Sequence, residues 1–398
     1  LALPAGELAF AAGYEHRKES AFFTPGSIAQ LGLGADDPIA DTDGSFSVDE
    51  AYLELAIPLL ANKSFAEHVE LSTAIRYFDY NTFGDDTTWK LGLTWKVNKQ
   101  LMLRGVASTA FRAPTVDELY GGVGISFEDV KHVASPSGQA LVTVGSNDNL
   151  NPEEAETFTA GIVFEPNIIA GLSLTLDYFN IALSNAIGTI DSNYVAKTCL
   201  SASGTKQNND LAMCKSANIS LNAGQIEFTN LNGNIGTLDT SGLDVNIAYH
   251  FELANLDVRA SLDTMFLNEY EKEASNEIID YKGKITGDIG SYAQVKSNFN
   301  LSVRADTWSA SYQARYISAM DDISCAPNEC LAPSTPSVIY HDVSGTYQLT
   351  SQVTLAAGVN NLFDKQAPFY SNYNDSNTDP YTYDVLGRYG FVKVKVEF

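Results

Sequence analysis

The sequence predicts an all-β protein, a transmembrane antiparallel β-barrel, and three observations carry that expectation. Apolar and polar residues alternate with a period of two over stretches of about ten residues, longer than the strands usual in soluble domains. Long polar loops alternate with turns of a few residues, the asymmetry of barrels whose long loops face outside the cell. No uninterrupted apolar run approaches the roughly 20 residues of a membrane helix. The most apolar segment, 51–61, is broken by Glu54 and Pro58.

The elements follow in order. Leu8, Phe10, Ala12 and Tyr14 mark the first strand, and a polar stretch, 17–44, follows it. Leu53, Leu55 and Ile57 then alternate with Tyr52, Glu54 and Ala56. Val69, Leu71, Thr73 and Ile75 define a third strand, and Trp89, Leu91, Leu93 and Trp95 a fourth. The tight turn Asn98-Lys99-Gln100 leads to the most regular stretch, 101–112. Leu101, Leu103, Gly105, Ala107, Thr109 and Phe111 share one face, while Met102, Arg104, Ser108 and Arg112 share the other. Such a strand has lipid or core on one side and a wet interior on the other. Pro114 removes a backbone donor and forces Ala113 out of helical geometry, so the strand stops there.

After a long loop, 121–152, come strands around Phe158–Phe164 and Leu172–Phe179, then the longest irregular region, 185–239. Leu243–Phe251 and Leu256–Phe266 form a hairpin, and the loop 269–292 separates it from Val295–Arg304 and Trp308–Tyr316. Three more strands lie near 338–349, 352–362 and 383–398. The total is about fourteen. In lipid each backbone donor needs a partner, so such strands are viable only in a closed sheet. A soluble β-rich binding module is the weaker alternative on strand length and loop asymmetry.

Charge narrows the function. The chain has 49 acidic against 24 basic residues, a formal net charge of -25, and no basic stripe of the kind nucleic acid requires. The charges on the polar face of the strands, Arg76, Lys90, Lys96, Arg104, Arg112, Asp177, Asp257, Arg259, Asp263, Arg304 and Arg315, would each be costly against lipid. They are expected in the lumen. His16, His68, His132, His250 and His341 are scattered without metal spacing or a nucleophile beside them, so we expect no enzyme activity, no cofactor and no metal. The run Asp41–Glu50 lacks the first acid of a calcium loop and reads as an acidic surface loop. The pairs Asp36-Asp37, Asp85-Asp86 and Asp321-Asp322 also fall in expected loops, where they could bridge cations to lipopolysaccharide. Cys199 with Cys214 and Cys325 with Cys330 form two local pairs in polar regions, which favours disulfides in an oxidising compartment over a four-cysteine zinc site.

Phe111-Arg112-Ala-Pro114-Thr-Val-Asp-Glu118-Leu119-Tyr120 resembles the strand-to-loop motif of TonB-dependent receptor barrels. Leu150-Asn-Pro-Glu-Glu-Ala-Glu-Thr-Phe-Thr-Ala-Gly161 is similar to that family's next element, and Asn361-Leu362-Phe363-Asp364 to its penultimate strand. The terminal Phe398, after Val392, Val394 and Val396 on one face, resembles the signal read by the barrel-assembly machinery. The resemblance spans the chain. It implies that residues 1–398 are the C-terminal part of a barrel of about 22 strands, with the plug domain and TonB box outside this sequence. It further implies a multi-pass protein of the cell outer membrane that imports a scarce solute, a siderophore, oligosaccharide or similar small molecule. The expected partners are the TonB-ExbB-ExbD system, the plug, lipopolysaccharide and other outer-membrane lipids, and the assembly machinery. Arg112, Tyr120, Phe127, Phe369, Tyr370 and Tyr373 are candidates to face the solute. The alternative is a passive porin of fourteen strands.

Overall fold

The computed structural model describes residues 1–34, 38, 40–274, 277–286, 290–323, 325, 330–370 and 377–398. Among the described residues its main sheet has fifteen strands; the short strand Glu277–Asp280 pairs only with the end of β9, and the other fourteen follow one another in chain order: β1 (Ala9–Phe23), β2 (Thr42–Lys63), β3 (Ala66–Tyr80), β4 (Gly84–Lys96), β5 (Leu101–Arg112), β6 (Glu153–Phe164), β7 (Leu172–Gly188), β8 (Gly233–Leu253), β9 (Leu256–Ala274), β10 (Val295–Arg304), β11 (Trp308–Ile317), β12 (Val338–Gln348), β13 (Val353–Asn360) and β14 (Tyr389–Val396). Each pairs antiparallel with its predecessor, and β1 and β14 are the edges of the path.

Register carries the alternation across the sheet. One row joins Leu101, Phe164, Leu174, Ile247, Leu262, Phe299 and Ala314. The next row, one residue along, joins Met102, Val163, Thr175, Asn246, Asp263, Asn298 and Arg315. Because the side-chain period is two, one face is an apolar membrane-type surface and the other a polar lumen. The apolar side chains stay open: Trp89, Leu91, Phe158 and Ile162 are all exposed. On the lumen face charges meet each other. Arg104 grips Asp177 through two hydrogen bonds of 2.8 and 2.5 Å, and Arg315 lies 3.3 Å from Asp342.

The turns at the other end are as short as expected. Asn98 accepts the backbone N–H groups of Gln100 and Leu101, and Ala254 and Asn255 both have positive φ, as a two-residue hairpin turn requires.

Above the wall the structure departs from the expected loops. The segments 121–152 and 189–232 form one folded unit, a cap. Gln225–Thr229 pairs in parallel with Gln139–Val144, flanked by Gly124–Asp129 and Ser220–Asn222. Two short helices, Ser192–Cys199 and Ala212–Ala217, close a core of Val130, Ala140, Val142, Val195, Leu200, Ile219, Ile226 and Phe228. The strands are too short for local periodicity to announce them, and the pairing that joins the two segments, Gln139–Val144 with Gln225–Thr229, is remote in sequence.

Cys199 and Cys214 are disulfide-bonded inside this core, and Cys325 is bonded to Cys330, as their spacing predicts. The first bridge spans 15 residues. A loop of that length is worth about 3 kcal/mol in the chain-entropy treatment. Changing both cysteines to serine is expected to expose the segment between them to proteolysis, with the barrel strands still resistant.

Three acidic stretches differ from expectation. Asp41–Glu50 is not a surface loop: residues 42–50 belong to β2. Phe46, Val48 and Glu50 alternate inward there, and Glu50, 2 % exposed, accepts a hydrogen bond from Arg76. Asp85 and Asp86 begin β4, and Asp321 and Asp322 lie in the strand Met320–Asp322. Asp36 and Asp37 lie outside the described residues.

Candidate functional site

The corner after β5 joins the wall to the cap. Pro114 ends the strand, and Thr115 caps a one-turn helix, α1 (Val116–Tyr120). The Thr115 hydroxyl accepts the Glu118 N–H at 3.1 Å, while the Glu118 carboxylate accepts the Thr115 N–H at 2.7 Å, a complete capping box. Val116 and Leu119 then enter an apolar cluster with Phe46, Val48, Phe78, Tyr80 and Leu150. Phe111 joins them, its ring stacked 3.7 Å from that of Phe78. Alternation puts Phe111 on the lipid-side face, but the β4–β5 ladder ends at the pair Lys90 and Ser108, so the strand top is held on its β6 side alone, through Phe111–Glu154 and Arg112–Glu153, and the Phe111 ring reaches the cluster.

Arg112 is the hub. Its Nη1 and Nη2 donate to the two Glu118 oxygens at 2.8 and 3.0 Å, and its Nε donates to Glu153 at 2.7 Å. The other Glu153 oxygen accepts the backbone N–H of Ile187 at 2.8 Å. One guanidinium therefore ties together the top of β5, α1, the start of β6 and the end of β7, the points from which both cap segments leave the wall. Further bonds continue the clamp: Asn147 to Asn232 at 2.9 Å, and Asn151 to Asn234 at 2.9 Å.

Burial opposes the charge on Glu118, but the bonds from Arg112 and Thr115 outweigh it and hold the carboxyl below its usual range. A group with its folded pKa depressed contributes stability above its unfolded pKa, lost as pH falls through the folded one. Acidification below the ordinary carboxylate range is thus expected to loosen this corner. Proteolysis of 113–123 as a function of pH measures it; wild type should open on acidification, and Glu118→Gln should show a smaller acid-dependent step, that of Glu153, whose carboxyl Arg112 also holds low.

The second motif shapes the exit from β13. Asn361 is fully buried with φ 51°, a conformation asparagine tolerates. Its side chain accepts the Lys365 N–H at 2.7 Å and donates to the Lys365 carbonyl at 2.8 Å. The Leu362 N–H donates to the His341 carbonyl at 2.7 Å, and Asp364 accepts the Arg388 N–H at 2.9 Å. Phe363 is exposed and meets the His341 ring edge-on. These residues fold the chain back toward β14; Phe398 lies fully exposed beyond that strand.

The candidate solute-facing residues separate. Arg112 is engaged by its two carboxylates, and Tyr120 lies against Gly44, where a Cβ would come within 2.2 Å of the Tyr120 ring. Tyr370 is fully buried beside Ile285, Met320 and Tyr340, its hydroxyl 3.3 Å from Asp322. Tyr120 is half-buried, whereas Tyr370 is closed off from solvent. Phe127 and Phe369 are open, at 54 % and 52 % exposed. Tyr373 lies outside the described residues. Sequence reasoning missed Glu153, whose signal was an acid preceding a strand close to an arginine-ended one. Among the described residues Asp322, Cys325 and Cys330 lie together in metal-binding geometry, but both sulfurs are committed to the disulfide.

Comparison with known proteins agrees with this architecture. Residues 3–362 match the family model described as TonB dependent receptor-like, beta-barrel. The chain is 24% identical over 388 residues to a probable TonB-dependent siderophore receptor, PirA, of Acinetobacter baumannii, covering 92% of this chain and 45% of that protein. The crystal structure of PirA from Acinetobacter baumannii superposes with a TM-score of 0.67 at 15% identity, over 100% of this chain and 53% of the other. A ferric enterobactin receptor mutant of Pseudomonas aeruginosa, PfeA, solved with enterobactin, also gives 0.67, at 18% identity, over 98% of this chain and 51% of the other. The chain thus spans about half the length of the relatives it matches. With its strands, its faces and its Phe-Arg-Ala-Pro corner in the arrangement that the family model spans, the chain belongs to the TonB-dependent receptors.

Proposed function

We propose that this chain forms wall and outer loops of an outer-membrane receptor for energised uptake of a ferric siderophore. The observation that supports it most is the cap: two loops folded together, clipped by a disulfide and clamped by Arg112 above a polar lumen. A passive pore has no need of such an ordered surface at its mouth, whereas a receptor must hold its contacts preorganised. Further wall strands of the longer protein would complete the barrel between β14 and β1. Its own plug domain would close the lumen against the facing charges. TonB-ExbB-ExbD would act on that plug, and lipopolysaccharide would surround the apolar band. The assembly machinery would read the last strand.

The test is growth of an iron-starved Gram-negative strain lacking its own siderophore receptors but expressing the whole gene. Ferric siderophore is expected to restore growth only when TonB is present. Growth that persists without TonB, or ion conductance from the purified receptor with no solute bound, would favour the porin instead.

A further inference from the structure

We propose that Asp322, Cys325 and Cys330 form a metal site that opens when the Cys325–Cys330 disulfide is reduced, and that the two thiolates and the carboxylate then bind one thiophilic divalent cation of the zinc type.

Backbone pairing, and not the disulfide alone, brings the three ligands together. Met320–Asp322 is a strand of a small sheet in the order Gly290–Tyr292, Lys284–Thr286, Met320–Asp322, Ser334–Thr335. Asp322 pairs with Ile285, and its N–H donates to the Pro333 carbonyl at 2.9 Å. Ile285 and Met320 are buried in a core with Tyr340, Tyr370 and Tyr383, which fixes the strand. A turn then brings Cys325 back to Asp322, its N–H 3.4 Å from the Asp322 carbonyl. The ligand atoms of Asp322, Cys325 and Cys330 all lie within 4.8 Å of one another. Asp322 is 5 % exposed, and the Tyr370 hydroxyl lies 3.3 Å from its Oδ1, the kind of outer contact that orients a metal-binding carboxylate. None of these bonds involves sulfur, so reduction leaves the carboxylate in place.

The two disulfides of the chain differ in access. Cys199 and Cys214 are buried in the core of the cap, whereas Cys325 and Cys330 are half-buried, so a reductant in solution reaches the second pair first. That bridge also closes the shorter loop, a separation of 5 residues against 15, so it constrains the unfolded chain less and its opening costs the fold less.

The chemistry balances with a dithiol as the reductant. It passes two electrons and two protons to the Cys325–Cys330 bond, which breaks into two thiols, and it leaves as its own disulfide. The cation then displaces one proton from each thiol into solvent and forms two bonds to sulfur and one to the Asp322 carboxylate. Two thiolates favour zinc over calcium or magnesium, which seek oxygen alone, and water completes four-fold coordination. Sulfur bonded to sulfur has no charge to give a cation. Disulfide and metal therefore exclude each other, and either one ties Cys325 to Cys330.

The experiment uses the full-length receptor in detergent, reduced with dithiothreitol, freed of it without air, and titrated with cobalt and then zinc. Reduced wild type is expected to take up one cobalt with a thiolate-to-cobalt charge-transfer band that zinc erases. Oxidised protein should show no band. Asp322→Asn keeps an acceptor facing Tyr370 but loses the ligand charge, and should weaken zinc about ten-fold or more. Cys330→Ser should lose most of the band, and zinc should protect Cys325 and Cys330 from alkylation. Protease resistance of 320–335 reports that each variant keeps the local fold. Reduced wild type without the band, a band of full intensity in Cys330→Ser, or equal zinc affinity in wild type and Asp322→Asn with the local fold intact would each overturn the inference.

Discussion

Exchange of Arg112 for alanine is expected to lower solute affinity about ten- to a hundred-fold while the barrel still assembles. The change removes three charge-assisted hydrogen bonds and leaves Glu118 and Glu153, 22 % and 12 % exposed at their side chains, facing each other without a cation. Hydrogen bonds to charged groups are worth about 1.5–3 kcal/mol each, discounted here because Arg112 itself is 43 % exposed. About 1.4–2.8 kcal/mol at the binding surface corresponds to the stated range. Arg112→Lys should recover little, because an ammonium cannot present two donors to Glu118 and a third to Glu153 in one plane. Solute titration measures the effect. Heat-dependent gel mobility, which reports the barrel alone, should be unchanged. Equal affinity in wild type and Arg112→Ala would mean that the cap does not need this clamp.

A second contrast tests the two faces of the wall. Leu176→Arg should abolish assembly into the membrane, and Thr175→Arg, its neighbour, should be tolerated. Leu176 sits between Leu103–Ile162 and Val245 on the open apolar face, near the middle of the apolar run of β7. An arginine near the bilayer midplane costs roughly 2–4 kcal/mol. Thr175 points the other way, between Val163 and Asn246, in the lumen row that continues through Asp263. There an arginine finds water and carboxylates. The amount of folded protein in outer-membrane fractions decides it. Similar yields of the two variants would mean that the apolar face is not in lipid.

Much of the wall is legible in one dimension. A strand shows its two faces at every second residue, so Leu101–Arg112 could be read without knowing its neighbours, and the observed ladder follows that reading up to Ser108. Above that point β4 leaves while β6 stays paired, and Phe111 turns from the lipid-side face into the cluster around Phe78. Arg112, Pro114 and Glu118 could be singled out from their motif, but not what Arg112 holds. Its second carboxylate, Glu153, is 41 residues away. The aromatic candidates divided for the same reason: Phe127 and Tyr370 both stand in polar stretches, and only the packing of remote segments leaves one open and the other buried.

The sequence by itself determined the all-β class, the number of wall strands, the inward charges and both disulfide pairs. Each follows from alternation or from spacing along the chain, which are local properties. The cap, its parallel pairing of Ile226 with Ala140, the burial of Tyr370 and the three-way grip of Arg112 were decided only in three dimensions. Each arises where segments far apart in sequence exclude water from one another, and no periodicity within either segment records which partner it will meet.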